Sequence, residues 1–386
     1  MRKSCVLSVA SSISVKMDAA MRSIAPLSAI VMRAAAGLLV AGWSAATRAD
    51  DAWDAIVAKA RAEGVVVVHG APGKSYEAAL VTAFNKTHPD IKVQFSGAAN
   101  AVEIPKVLRE RQAGIFAWDV WVSGPSSIMQ TLKPAGAFRP LKPVLRADLV
   151  DDKDWIGGFD FGWMDNEKQF FYAMDGTVQT PILANWDVIK KAAFTRLTDL
   201  ATPAFAGKIV WHDPRVNGTG NGTTQTLYRN IGEAALIDIL RNKVTYTANG
   251  HQIAEWVVRG RYPIGIGLET SDLKEFVDQG LGKNVSPVPD DMWKSEQISV
   301  GFGGVGLLDK APHPNAGVVY VNWLLSREGQ EAWNSIPRVS RRTDVKPWDP
   351  ALAPDPKREY FIGQAERHTS ERVRMLQIAR RAIDGQ

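Results

Sequence analysis

One cysteine stands in 386 residues, and it is Cys5. Beyond the first 49 residues the chain therefore has no disulfide, no thiol nucleophile and no thiolate ligand for a metal. Histidine is sparse too: six residues, at 69, 88, 212, 251, 313 and 368, each alone. His69 and His212 both end apolar strand-like runs and can face one cleft. No carboxylate spacing accompanies them, so two ordinary loop histidines are the simpler account. The patterns H-E-x-x-H and G-x-S-x-G are absent, and no nucleophile and base fall at a readable spacing. Gly73-Lys74-Ser75 ends like a phosphate-binding loop, but Val68 stands where that loop needs its first glycine. Gly301, Gly303 and Gly306 satisfy G-x-G-x-x-G, yet they run into Leu307-Leu308-Asp309, an extended stretch where a dinucleotide site needs a helix.

An excess of one charge is missing as well. Arg33, the apolar run from Ala34 to Trp43 and the small-x-small end Thr47-Arg48-Ala49 have the order of a secretory leader over 1–49. The run is shorter than the roughly 20 residues of a spanning helix. The bland alternative is a retained N-terminal helix, and Met1, Met21 and Met32 all remain as starts. Cys5 does not follow the Leu-x-x pattern of a lipid anchor. Six of the 46 basic residues and one of the 41 acidic ones fall in the leader, leaving 40 of each. A balanced mature chain gives no reason to expect nucleic acid or an acidic membrane surface as a partner. Its 337 residues exceed one ordinary core and predict two lobes.

What is present is α/β patterning organised around residues 64–124. Val65 to Val68 are four β-branched residues in a row, suited to a strand buried on both faces. Ser75 is placed to cap the next helix, which carries Tyr76, Leu80 and Phe84 on one stripe and stops near Pro89. Ile91–Phe95 and Trp118–Val122 are two more strands, with a helix between them ending at Gly114. All three strands end in small, polar, glycine-bearing loops, where open parallel sheets bind ligands. A second lobe repeats the logic. Lys208–Trp211 is a strand, followed by a loop with Gly218, Gly220 and Gly222 and a helix over 223–240. Tyr262–Leu268 is a strand, Val285–Pro289 returns the chain to the first lobe, and a basic amphipathic helix ends the chain. No internal sequence repeat relates the two halves.

The stretches GAPGKSYEAALVTAFNKTHPDIKVQFSG, AWDVWVSGPSSIMQTL, GKIVWHDPRVNGTGNGTTQTLY and ISVGFGGVGLLDKAPHPNAGVVYVNWLLSREGQEAW resemble bacterial extracellular solute-binding proteins of ABC importers, in particular the ferric-iron type. The resemblance implies a two-lobed type II periplasmic binding protein fold with the ligand cleft between the lobes. Lobe one is expected over 50–170 with 287–345, and lobe two over 171–286 with 346–386. It implies a periplasmic receptor, a monomer and no enzyme, that delivers a solute to a transporter permease. The rival readings are a ferric-iron or ferric-chelate carrier, an enzyme in the same cleft, and a two-lobed sensor domain. Ferric-binding members use two adjacent tyrosines late in the second lobe. The matching stretch here, Gly267 to Asp272, has none.

The candidate site follows from the loops. Ser75, Ser123, Ser126, Thr219, Gly220, Asn221 and Thr270 are expected as hydrogen-bond donors, with Lys74 and Arg215 as countercharges. Trp211 and Phe302 are expected as apolar walls, although such residues more often sit in cores. Glu269 would meet an amine if the solute were zwitterionic. Backbone N–H groups at these loops suit oxyanions, so the expected cargo is a small organic anion, a carboxylate or a phosphonate, with no cofactor and no resident metal.

Overall fold

The computed structural model describes residues 51–386 apart from Asn217, Glu269, Pro356 and Gln386; for Thr270 and Ser271 it describes the backbone alone. The leader expected over 1–49 lies outside the described residues. Residues 51–58 are helical. Residues 59–386 form one compact unit, and everything below concerns that unit.

Its strands, in chain order, are β1 (Val65–Gly70), β2 (Lys92–Gly97), β3 (Val120–Ser123), β4 (Phe171–Ala173), β5 (Thr177–Val178), β6 (Ile182–Asn185), β7 (Ile209–His212), β8 (Thr245–Thr247), β9 (Ile264–Ile266), β10 (Val285–Pro287), β11 (Glu296–Ser299), β12 (Gly304–Leu307) and β13 (Tyr360–Phe361). They form two five-stranded sheets and one small sheet. The first has the order β2-β1-β3-β12-β4, with β1 parallel to both neighbours and β12 antiparallel to β3 and β4. The valine run supplies its centre: Val66 and Val68 are fully buried. The second has the order β10-β6-β9-β7-β8, with β7 parallel to β8 and β9.

Alternation along β7 sets the second lobe's two cores. Ile209 and Trp211 point to one face, where the helix Thr219–Leu240 and, through Met375 and Ile378, the terminal helix Thr369–Asp384 cover them. Val210 points to the other, against Ile253, Val257 and Leu273. The small sheet, β13-β11-β5, is built from segments that pass between the two large ones. The fold is thus the expected two-lobed α/β arrangement.

Three local expectations need correction. Ser75 does not cap its helix: Gly73, at φ 127°, precedes the helical residues and no side chain caps them. The helix expected from Thr223 begins at Thr219, so part of the glycine-rich loop is already helical. Val285–Pro287 does not return the chain to the first lobe but adds an edge strand to the second sheet, antiparallel to β6. The return follows through β11 to β12. Downstream of residue 346, Ile362 and Ala365 pack in the core around Trp121 and Phe171, and the terminal helix alone packs on the second sheet's helix.

Candidate ligand cleft

Between the lobes lie two adjoining cavities of about 540 and 520 Å³. Four residues line both: Gln179, Thr219, Ser299 and Arg338. Three of these lie on or beside the crossing strands, or open the helix Thr219–Leu240. Gln179 follows β5 and donates its backbone N–H to Gln297 O at 3.0 Å. Ser299 ends β11, and its hydroxyl accepts from Gly301 N at 3.3 Å. The crossing strands therefore make the floor of the cleft, and each lobe supplies a wall.

The first cavity is polar and cationic. Gln130, Gln179, Gln297 and Gln364 present amides to it, and Ser126 and Ser299 present hydroxyls. Gln364 is held in place by accepting from Val300 N at 3.0 Å. The start of the helix Thr219–Leu240 forms part of the wall through Gly218, Thr219 and Gly222, and a helix start carries partial positive charge. Gly220 belongs to this geometry: a Cβ there would lie 2.0 Å from the His212 carbonyl oxygen. Only glycine lets the helix start so close to the end of β7.

Two arginines supply the charge. Arg338 lies against Gly301, whose φ is 51° and whose Cβ, if present, would meet the guanidinium at 2.5 Å. Its Nε is 4.0 Å from the carboxylate of the fully buried Asp175, which partly offsets it. Burial pushes the Asp175 carboxyl up to about 6, against the pull of Arg338 and of hydrogen bonds from Thr177. Arg372 is different. It is 8% exposed, its Nη1 donates to Ser126 Oγ at 2.8 Å, and its Nε is buried with no partner. Burial alone accounts for the lowering of its pKa, and no carboxylate among the described residues offsets its charge. The bond to Ser126 reaches from the terminal helix to the helix Pro125–Gln130 that follows β3, so it crosses the cleft.

The second cavity is largely apolar. Leu268, Leu273 and Val277 line it from the second lobe, and Ile336, Trp348 and Leu352 from the opposite side.

The expected site residues divide. Ser126, Thr219 and Phe302 line the polar cavity. Ser75 lines the apolar one, and Thr219 reaches both. The others lie elsewhere. Ser123 is buried at the end of β3, and its hydroxyl accepts from Asn100 at 3.2 Å. Trp211 is a fully buried core side chain, not a wall of the cleft, because the strand's alternation turns it inward. Arg215 spends its charge on Asp213 at 2.7 Å and Asp384 at 2.6 Å, so it is no countercharge for a ligand. Lys74 is exposed and lines neither cavity. Gly220 touches strand backbone, and Asn221 sits behind the wall, donating to the Arg372 carbonyl at 3.5 Å. Thr270 opens the helix Thr270–Asp278, and Glu269 lies outside the described residues.

Sequence reasoning missed Arg338, Arg372 and the glutamines. One signal was available for Arg372. On the terminal helix the buried positions are 372, 375, 378 and 379, one stripe at helical spacing. An arginine on the apolar stripe of a helix is an anomaly, and charged groups are seldom buried unless paired.

Among the described residues no group of three or more His, Cys, Asp or Glu is placed to hold a metal ion, and no helix is long and apolar enough to cross a membrane.

Residues 68–331 match the family described as bacterial extracellular solute-binding protein. Over 169 residues the chain is 27% identical to an uncharacterized protein of Haemophilus influenzae, a match covering 42% of this chain and 47% of that relative, so the chain spans about half the length of the curated relative. Its fold is similar to that of IdiA (FutA) from Trichodesmium, solved with iron and citrate ligands, at a TM-score of 0.63 and 14% identity, covering 83% of this chain and 99% of that one. It is also similar to the periplasmic binding protein AfuA from Actinobacillus pleuropneumoniae, solved with fructose-6-phosphate, at a TM-score of 0.54 and 20% identity, again covering 83% and 99%.

Proposed function

Because this chain belongs to the bacterial extracellular solute-binding proteins, we propose that it is a periplasmic receptor that captures a small organic anion between its lobes and delivers it to an ABC transporter permease. Residues 1–49 are a leader removed on export. The mature chain acts as a monomer, since both walls and the floor of the cleft come from one chain.

The observation that carries the ligand's sign is Arg372, a buried guanidinium with an unpartnered Nε and no acidic neighbour among the described residues, at a cavity that also holds Arg338. A buried charge is costly unless something pairs with it. A carboxylate or a phosphonate, accepting two parallel N–H bonds, suits a guanidinium in geometry as well as charge. The surrounding amides and hydroxyls suit hydroxyl or carbonyl groups on the same solute. The similar folds solved with iron and citrate and with fructose-6-phosphate agree with an oxyanion cargo. A bare ferric ion is disfavoured by the same charges: a hard trivalent cation needs anionic oxygen ligands, and this cavity offers guanidinium groups. A ferric chelate held through its carboxylates stays compatible with the site.

The test is calorimetric titration of the mature protein with citrate, simple phosphonates, ferric citrate and ferric ion. Carboxylate or phosphonate binding should appear, and Arg372→Met should weaken it at least a hundredfold, about 2.7 kcal/mol. Tight binding of ferric ion alone with a phenolate-to-iron absorption band, or full anion affinity in the Met variant, would overturn the reading.

A further inference from the structure

The anion cavity is half of a larger cleft, and the other half has a different chemistry. The cavities share Gln179, Thr219, Ser299 and Arg338, so they meet across the Arg338 side chain. Each is of a size typical of a small-molecule site, about 300–1,000 Å³. A compact oxyanion at the two arginines occupies part of the first and leaves the second empty. The second is walled by Leu268, Leu273, Val277, Ile336, Trp348 and Leu352. Of the charged groups at its edge, Lys274 pairs with Asp278 at 2.7 Å, and the Asp349 carboxylate accepts a neutral bond from Ala351 N at 2.9 Å.

Two of the apolar walls are left open to water. Val277, on the second lobe's helix Thr270–Asp278, is 47% exposed, and Trp348, on the opposite side, is 44% exposed. Apolar surface of this kind gains free energy when an apolar group covers it.

We infer that the cargo is an amphipathic anion: an oxyanion head at Arg372 and Arg338, joined to an apolar arm, aliphatic or aromatic, that lies between Val277 and Trp348. The inference rests on the anion reading of the same cleft. Arg338, at the junction, holds the head where the arm can enter the second cavity. A wholly hydroxylated solute such as a simple sugar phosphate gains nothing from that cavity and is the poorer ligand.

Calorimetry with inorganic phosphate, methylphosphonate, butylphosphonate and phenylphosphonate tests this. One buried methylene is worth about fourfold in affinity, so butylphosphonate and phenylphosphonate should each bind at least tenfold tighter than methylphosphonate. In the double variant Val277→Ser with Trp348→Ala, both at partly exposed positions, that gain should vanish, so that the ratio of butylphosphonate to methylphosphonate affinity falls towards one. Equal affinity along the wild-type series, or a gain that persists in the double variant, overturns the apolar arm and leaves the anion site standing. Failure of every probe to bind the wild type overturns both. A concentration-dependent dimer that shields Trp348 from a soluble fluorescence quencher assigns the surface to a second copy and overturns the inference as well.

Discussion

A guanidinium buried without an acidic partner works against the empty protein. Arg372 gives up most of its hydration for one neutral hydrogen bond to Ser126, and replacing even paired buried ionic groups by well-packed apolar side chains of similar volume is often neutral or stabilising by about 1–4 kcal/mol. Arg372→Met should therefore raise the stability of the ligand-free protein by up to about 3 kcal/mol, after about 1 kcal/mol is deducted for the lost bond, while removing anion binding. Denaturant midpoints of the two proteins without ligand check this. A less stable Met variant would make Arg372 a structural residue. His69 makes a second case at this scale. Its ring stacks on Trp121 at 3.7 Å, and burial pushes its pKa down to about 4. The unfolded chain takes up this proton below about 6.5, whereas the folded protein resists until about 4. Stability therefore falls as pH is lowered through that window, by up to about 3 kcal/mol. His368, also lowered to about 4 by burial and then by Arg229 and Arg367, acts in the same direction. Asp175, raised to about 6, acts in the opposite one, since protonation relieves its burial. His69→Phe should flatten the acid side of a plot of thermal midpoint against pH, and an unchanged slope would remove His69 from that account. Residues of this kind were hard to read from sequence. The loop serines and glycines stood out by composition, but burial and pairing separate Ser126 from Ser123 and Arg372 from Arg215.

At the scale of elements, the strands and helices were legible wherever a period of 2 or 3.6 ran long enough. The valine run of β1 and the buried stripe of Leu80 and Phe84 both appear where the pattern put them. The helix Thr219–Leu240 shows what the pattern conceals. It breaks at Gly232, where φ is 77° and ψ 174°, a region open essentially to glycine. Just before the break, Asn230 is tied to the chain leading into β11: its side chain accepts from Lys294 N at 2.7 Å and donates to Ser295 O at 2.8 Å. The bend thus goes with an anchorage 64 residues away in sequence, and a lone glycine inside a helical pattern gives no hint of that. No atom lies within 4 Å of a Cβ built at Gly232, so substitution there costs backbone strain alone. Gly232→Ala should destabilise by about 1–3 kcal/mol in urea unfolding, with the cleft's ligand affinity retained. A neutral result would mean that the bend is not required. The small sheet was invisible for a simpler reason: β5 and β13 are two residues each, below the length at which alternation can be recognised.

Residues 59–386 carry two large sheets joined by short crossing strands, and that arrangement bears on how the protein responds to a ligand. The floor residues Gln179, Gln297 and Ser299 sit on or beside the crossing strands, where a hinge motion displaces them least. The walls move most: Ser126 and Trp348 on one side, Thr219 and Val277 on the other. Arg372 ties the two walls of the polar cavity directly by donating to Ser126 at 2.8 Å. An anion that pairs with Arg372 and touches the opposite wall adds charge-assisted bonds that form fully when the walls approach, so its differential affinity favours the closed state. Small-angle scattering should therefore show the radius of gyration falling when a saturating carboxylate or phosphonate is added. Arg372→Met at the same ligand concentration should show no change. The wild type should also respond less to an uncharged solute of equal size, which lacks the charge-assisted bonds to Arg372. A radius that stays constant at saturation, with binding confirmed calorimetrically, would mean that the lobes are already fixed in their liganded arrangement and that binding proceeds without closure.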